Sequence, residues 1–164
     1  MRRLVPHPRQ GGRRVIRAGV ILVTDHGVAA IERVRAGRRY HTLPGGRLEP
    51  GETSAEAAVR ESHEELGLIV KLHGLAAVVN FQHTTQHYYL ATPLSGTFGT
   101  GTGPELTSPP TSESGTYRAV WLPLSDLTAQ DLRPPAIATA LQSTATPDHL
   151  LQTWLTEPPT FDEV

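Results

Sequence analysis

The sequence predicts an α/β domain, and three stretches carry that expectation. The apolar run Val15 to Thr24 has the composition of a strand. Ser54 to Leu66 reads as a helix bounded by clear start and stop signals. Thr116 to Leu124 followed by Pro135 to Gln142 repeats the passage from strand to helix. The 164 residues suffice for one domain with a sizeable core. We expect that domain over residues 14–156, with a loose arm at 1–13 and a frayed acidic tail at 157–164.

The early elements follow from local signals. In the arm, Pro6, Pro8, Gly11 and Gly12 break regular structure. The arm's arginines are placed to touch phosphates or simply to be solvated. The apolar end of the first strand suggests a central position in a sheet. Asp25-His26-Gly27 is a hairpin turn, and Val28 to Val34 is the return strand. A basic stretch follows with Arg33, Arg35, Arg38 and Arg39, ending at Tyr40. As a loop at 35–41 it is either solvated or holds the outer phosphate of a ligand, with Tyr40 stacking on a base or packing on the sheet.

The later elements are expected as follows. A strand lies within Leu68 to Val79, a polar turn spans 80–86, and a strand runs from His87 to Leu94. His83 and His87 are four apart, but strand and turn would not give them a shared face, which disfavours a structural metal there. Phe81 or Tyr88 would line a base pocket or pack in the core. Residues 95–115 form the longest irregular stretch, a length that is usually functional or disordered. Its two carboxylates are Glu105 and Glu113, with Glu105 favoured because Gly103-Pro104 fixes its backbone. After the strand Thr116 to Leu124, with Trp121 half-buried, Ser125 is expected to cap a short turn. Pro135 starts one helix, and Pro147 to Thr156 forms another.

Composition narrows the function. Hydrophobic residues make up 38% and charged residues 19%, because Gly (15) and Pro (14) take the space, which implies long loops. A formal net charge of −1 gives no global basic field for wrapping nucleic acid. With no cysteine, disulfides and thiolate metal sites are excluded. No apolar run approaches the ~18 residues of a membrane span. The basic start of the chain has no apolar stretch behind it, as a signal peptide would need. A cytoplasmic enzyme fits these features.

The helix from Ser54 to Leu66 carries the most chemistry. Thr53 and Glu56 form a capping box at its start, and Gly67 is its stop. At about 100° per residue, Ala55, Ala58, Val59, Ser62 and Leu66 fall on one side. Glu61, Glu64 and Glu65 fall together on another. Like charges at that spacing each cost a helix about 0.2–0.5 kcal/mol. The patch is therefore either fully solvated or holds a cation. Gly45, Gly46, Pro50 and Gly51 form an irregular loop before it, where glycine lets the backbone approach a ligand.

Gly46, then five residues to Glu52, then seven residues to Arg60-Glu61-Ser62-His63-Glu64-Glu65-Leu66-Gly67-Leu68, resembles the Nudix box of the Nudix hydrolase family. That pattern is G-x5-E-x7-R-E-U-x-E-E-x-G-U, where U is a bulky aliphatic residue. At residue frequencies of about 1 in 15, its fixed letters match by chance on the order of once in 10⁸ windows, so the signal is strong. Ser62 departs from the first U, and its hydroxyl is expected to bond back to the Ala58 carbonyl.

The resemblance implies the α/β/α sandwich of the family with a mixed sheet. It implies Glu61, Glu64 and Glu65 as ligands of Mg²⁺ or Mn²⁺. Gly46 would add a carbonyl or shape the loop, and Glu52 would be a further ligand or support the others. Arg60 would orient the carboxylates, with Glu56 and Glu64 as its partners one turn away. The implied reaction is attack of water on phosphorus in a nucleoside diphosphate linked to another moiety. Nucleoside triphosphates, oxidised ones and ADP-ribose-like compounds are the candidates. Glu64, Glu65, Arg60 and Glu105 are the catalytic candidates, since the family takes its general base from the box or from a distant loop. Arg33, Arg35, Arg39, Tyr40 and Tyr88 are the substrate-binding candidates. A nucleotide-sensing module and an RNA 5′-end pyrophosphohydrolase are the alternatives. The near-neutral charge counts against RNA, and a homodimer is common in the family.

Overall fold

The computed structural model describes residues 12–107, 109, 113 and 115–164, with the backbone alone of Glu105. Most of the expected arm lies outside the described residues. The first apolar run forms β1 (Val15–Ile21) and β2 (Val23–Thr24). Asp25 and His26 turn the chain, and Thr24 pairs with Gly27 at the start of β3 (Gly27–Arg35). Gly27 has φ 110°, and a Cβ there would run into the carbonyl oxygen of Leu122.

A second hairpin replaces the loop expected at 35–41. Ala36 (φ 48°) and Gly37 (φ 73°) are both left-handed and turn the chain into β4 (Arg38–Thr42). Two such residues in succession make a turn whose twist matches that of the flanking strands, but Ala-Gly signals it less strongly than Asn-Gly. Arg35 pairs with Arg38 across it.

After β5 (Gly45–Arg47) comes α1 (Ser54–Leu66), with the expected bounds. Thr53 and Glu56 form both bonds of the capping box, and Gly67 closes the helix at φ 77°. Strands β6 (Leu68–Phe81) and β7 (Thr84–Gly96) form a long hairpin. Its turn is only Gln82-His83, shorter than the polar turn expected at 80–86. Gln82 takes φ 51° and strand pairing reaches Phe81–Thr84. Next come β8 (Thr116–Leu122), β9 (Leu132–Arg133), α2 (Pro135–Ser143) and α3 (Pro147–Thr156).

Two further expectations fail. Ser125 does not cap the 3-10 turn Leu124–Asp126, whose N-cap is Pro123; its hydroxyl turns to Asp126 instead. The stretch expected to fray holds a strand, β10 (Thr160–Glu163), parallel to β6. Side-chain partners pin it there. Asn80 donates to Asp162 at 2.9 Å, and the Phe161 ring meets Trp154 edge-on at 5.9 Å.

The strands form two mixed sheets. One has the order β10-β6-β7-β1-β5; the other runs β2-β3-β4-β9, with β8 on the far side of β3. Strand alternation separates two cores. Ala29 and Ile31 of β3 join Ala57, Ala58 and Leu66 of α1, while Val28 and Ala30 join Ile137, Leu141, Leu151 and Trp154 of α2 and α3. Neighbours on a strand point to opposite faces, so α1 covers one face and α2 with α3 the other. No helix among the described residues is long and apolar enough to cross a membrane.

Because β10 is held by packing as well as by pairing, Phe161→Ala is expected to cost about 2 kcal/mol of stability, below the value for a fully buried ring. Urea unfolding measures it, and a loss within error of zero would restore the frayed tail.

Candidate active site

The candidate site is built on the contact between α1 and β5. A Cβ at Gly46 would collide with the Glu61 carboxylate, so this glycine is what allows the side chain to lie over the strand. Gly45 donates its N–H to Glu65 Oε2 at 2.8 Å. Glu61 and Glu65 are therefore buried at 8% and 7% exposure, while the Glu64 side chain stands at the rim with 33%. The expected single carboxylate patch, separate from the packed face, is not what forms. The buried residues of α1 are Ala57, Ala58, Glu61, Ser62, Glu65 and Leu66, with Ala55 and Val59 half-buried. The covering strand draws two carboxylates into the packed face. Ser62 Oγ donates to the Ala58 carbonyl at 2.8 Å, as expected.

Arg60 gathers this cluster. Its Nε and Nη2 donate to Glu52 at 2.8 and 3.0 Å, and its Nη1 donates to Glu61 and Glu64, each at 3.0 Å. Nη2 also donates to the Arg47 carbonyl at 3.0 Å. Of the two expected i,i+4 partners only Glu64 is used, because Glu56 is engaged in the capping box. The Arg60 guanidinium holds the Glu52 carboxyl below its usual range, and Glu52 in turn raises the pKa of Arg60. Glu52 thus joins the cluster through Arg60. Among the described residues, no three carboxylate or imidazole groups converge as a metal cage. In this structure Arg60 stands among the carboxylates instead.

The cluster forms one end of a cavity of about 1020 Å³. Its lining includes Arg33, Tyr40 and Tyr117 from the α1 face of the second sheet. It also includes Arg17, Phe81, Gln86, Tyr88 and Glu163 from the first sheet. On β1, Ala18 and Val20 belong to the α1 core and Ile21 to the other, so Arg17 lies on the α2 face. Residues from opposite faces thus line one space. On the second sheet, Arg33 pairs across β3 with both Tyr40 and Tyr117. Its guanidinium lies 3.7 Å from the Tyr117 ring centre and 5.7 Å from that of Tyr40. Arg133 covers Tyr40 at 4.3 Å and is held by Asp131 at 3.0 Å. This alternation of cations and rings stiffens the wall.

The structure brings together Arg33, Tyr40 and Tyr88 with the box residues Gly46, Arg60, Glu61, Glu64 and Glu65. Arg35 and Arg39 are not part of the cavity lining. Arg35 borders a separate hollow of about 220 Å³, and Arg39 is 62% exposed and lies 3.9 Å from Glu32. The loop at 97–103 docks on α1, where Gly99 and Gly103 donate to the Leu66 and Glu64 carbonyls, each at 2.9 Å. Pro104 lines the cavity, and Glu105 belongs to the 3-10 turn Pro104–Thr107. The Glu105 side chain lies outside the described residues, and Glu113 is exposed.

Sequence reasoning did not single out Arg17, Arg47, Gln86, Tyr117, Arg133 or Glu163. An arginine inside the apolar run VIRAGVILV was a readable signal for Arg17; the others needed the pairing of distant strands. His83 is exposed in its turn, while His87 lies on β7 against Ser54, with Nδ1 at 2.8 Å from Oγ. Tyr88 donates its hydroxyl to Gln86 Oε1 at 2.7 Å, and burial raises the pKa of its phenol.

Residues 13–142 match the family model described as the NUDIX domain. Solved structures share the fold. A MutT Nudix hydrolase from Burkholderia pseudomallei is 28% identical, with 79% of this chain and 98% of that one covered at a TM-score of 0.60. A Nudix hydrolase from Nitrosomonas europaea is 20% identical, with coverage of 92% and 80% and a TM-score of 0.59. An ADP-ribose pyrophosphatase from Streptococcus suis is 18% identical, with coverage of 90% and 98% and a TM-score of 0.56. No curated protein sequence matches the chain.

Burial lowers the pKa of His87. The unfolded chain therefore takes up this proton more readily than the folded one. Above about pH 6.5 the effect vanishes; below it, stability falls until the depressed folded value is passed. Unfolding at pH 8 and pH 5 is expected to show a larger loss for the wild type than for His87→Gln. Equal losses would remove His87 from the account.

Proposed function

Because the chain belongs to the Nudix hydrolase family, we propose that it is a metal-dependent pyrophosphohydrolase of nucleoside diphosphates linked to another moiety. The observation that carries this reading is the box helix laid on Gly45 and Gly46 at the end of a cavity rich in arginine and tyrosine. The donor set supports a hard divalent cation. It is all oxygen, it is partly desolvated, and the missing Cβ of Gly46 keeps Glu61 in it. Glu61, Glu64 and Glu65, with the Gly46 backbone, would hold Mg²⁺ or Mn²⁺, which when bound neutralises phosphate oxygens and acidifies water.

The remaining roles belong to the chain. Arg17, Arg33 and Arg47 bring positive charge to the cavity for the phosphates. Tyr40, Tyr88 and Phe81 give it apolar area for the nucleoside. Arg60 and Glu52 keep the carboxylates aligned. The proton of the attacking water goes to Glu64 at the rim or to Glu105, whose turn is tied to α1 through Gly103. A sensing module is the second reading, favoured by the ion pairs that Arg60 already makes with Glu61 and Glu64.

Glu65→Gln is expected to lower turnover at least about 10²-fold with the fold intact, as for loss of a metal ligand. Gly46→Ala is expected to lower it as well by displacing Glu61. Both are read by phosphate release from a nucleotide panel with Mg²⁺ or Mn²⁺, and tight binding with zero turnover in the wild type would select the sensor. Mn²⁺ at about a hundred times its Kd is expected to add about 2.7 kcal/mol of stability to the wild type and much less to Glu65→Gln. Thermal melting checks this.

A further inference from the structure

The first-sheet wall of the cavity carries groups that hydrolysis itself does not use. Phe81 on β6 pairs with Glu163 on β10, and Val79, two residues before Phe81, pairs with Gln86 on β7. Phe81, Gln86 and Glu163 therefore share one face, and all three line the cavity. Two of them are held in fixed hydrogen-bonding roles. Gln86 Oε1 accepts from the Tyr88 hydroxyl at 2.7 Å, which leaves the amide NH₂ as the group to offer. Glu163 Oε1 accepts from the Ala136 N–H at 3.0 Å, in the first turn of α2, where negative charge is favoured. A carboxylate has about four acceptor sites, so most of its accepting capacity remains. The wall thus offers carboxylate acceptors and an amide donor beside an aromatic ring.

We propose that this wall reads the nucleobase of the substrate and selects guanine. Among the common bases, guanine alone sets two neighbouring N–H donors, at N1 and the 2-amino group, beside an acceptor, O6. Two donors meet the Glu163 carboxylate and O6 meets the Gln86 amide, with Phe81 against the ring. Adenine and cytosine offer one amino donor followed by acceptors, and uracil flanks its single N–H with acceptors. The inference rests on the proposed reading of the cavity as a nucleotide site.

The competing role for Glu163 is that of a cap on α2, and Glu163→Gln separates the two. Its amide oxygen can still accept from Ala136, while NH₂ replaces an acceptor in the cavity. Calorimetry with methylene-bridged diphosphates of guanosine, inosine and adenosine measures binding without turnover. Inosine keeps N1–H and O6 but lacks the 2-amino group. The wild type is expected to bind the guanosine analogue about tenfold more tightly than either other one, within the range of a good bidentate base contact. In Glu163→Gln the guanosine-to-inosine ratio is expected to fall to about one. Gln86→Met is expected to weaken both, since they share O6, and to leave their ratio in place; it serves alone if Glu163→Gln does not fold. A wild type without guanosine preference, a Glu163→Gln that keeps it, a Gln86→Met with unchanged affinities, or no binding of any analogue overturns the proposal. Hydrolysis of the natural triphosphates is followed separately. Guanosine-selective binding without turnover overturns the hydrolase reading and leaves the base reading intact; turnover without base preference does the reverse.

Discussion

The Arg60 guanidinium is the interaction on which the rest of the site depends. Glu61 and Glu65 are drawn under β5 by the close approach of a glycine backbone, and Glu52 and Glu64 stand beside them. Several carboxylates in so little solvent would repel one another and pay for desolvation. One planar cation with donors in several directions satisfies Glu52, Glu61 and Glu64 together and ties the Arg47 carbonyl to the helix. A lysine at this position would supply a point charge without that fork.

The same geometry decides where the cavity opens. Helix α1 is anchored at its start by the capping box and near its end by the docked 97–103 loop. Its carboxylates Glu61, Glu64 and Glu65 therefore stay in the cavity lining. The cation–aromatic stack of Arg33, Tyr117, Tyr40 and Arg133 builds one wall from four different strands. The other wall ends on β10, where the chain returns to the sheet after α3 and brings Glu163 to the cavity. Helix and strands thus contribute different groups to the lining. The helix brings Arg60 and the carboxylates, and the strand faces bring the other arginines, the tyrosines and Glu163.

What the sequence determined by itself was local. The bounds of α1, its capping box, its glycine stop and the back-bond from Ser62 all depend on residues within four positions of one another, and they were legible at that range. So were the box residues and the Pro-led helices α2 and α3. Tertiary structure decided what distant strands share. Burial of Glu61 and Glu65 needs β5 over the helix, the Tyr40–Arg33–Tyr117 triplet needs the β3–β4 and β3–β8 pairings, and an acidic stretch becomes β10 because β6 offers it an edge. A single strand's pattern shows which residues share its face but not which strand will lie beside it. For that reason the box helix could be read from the chain, and the strand pairings that build the walls around it could not.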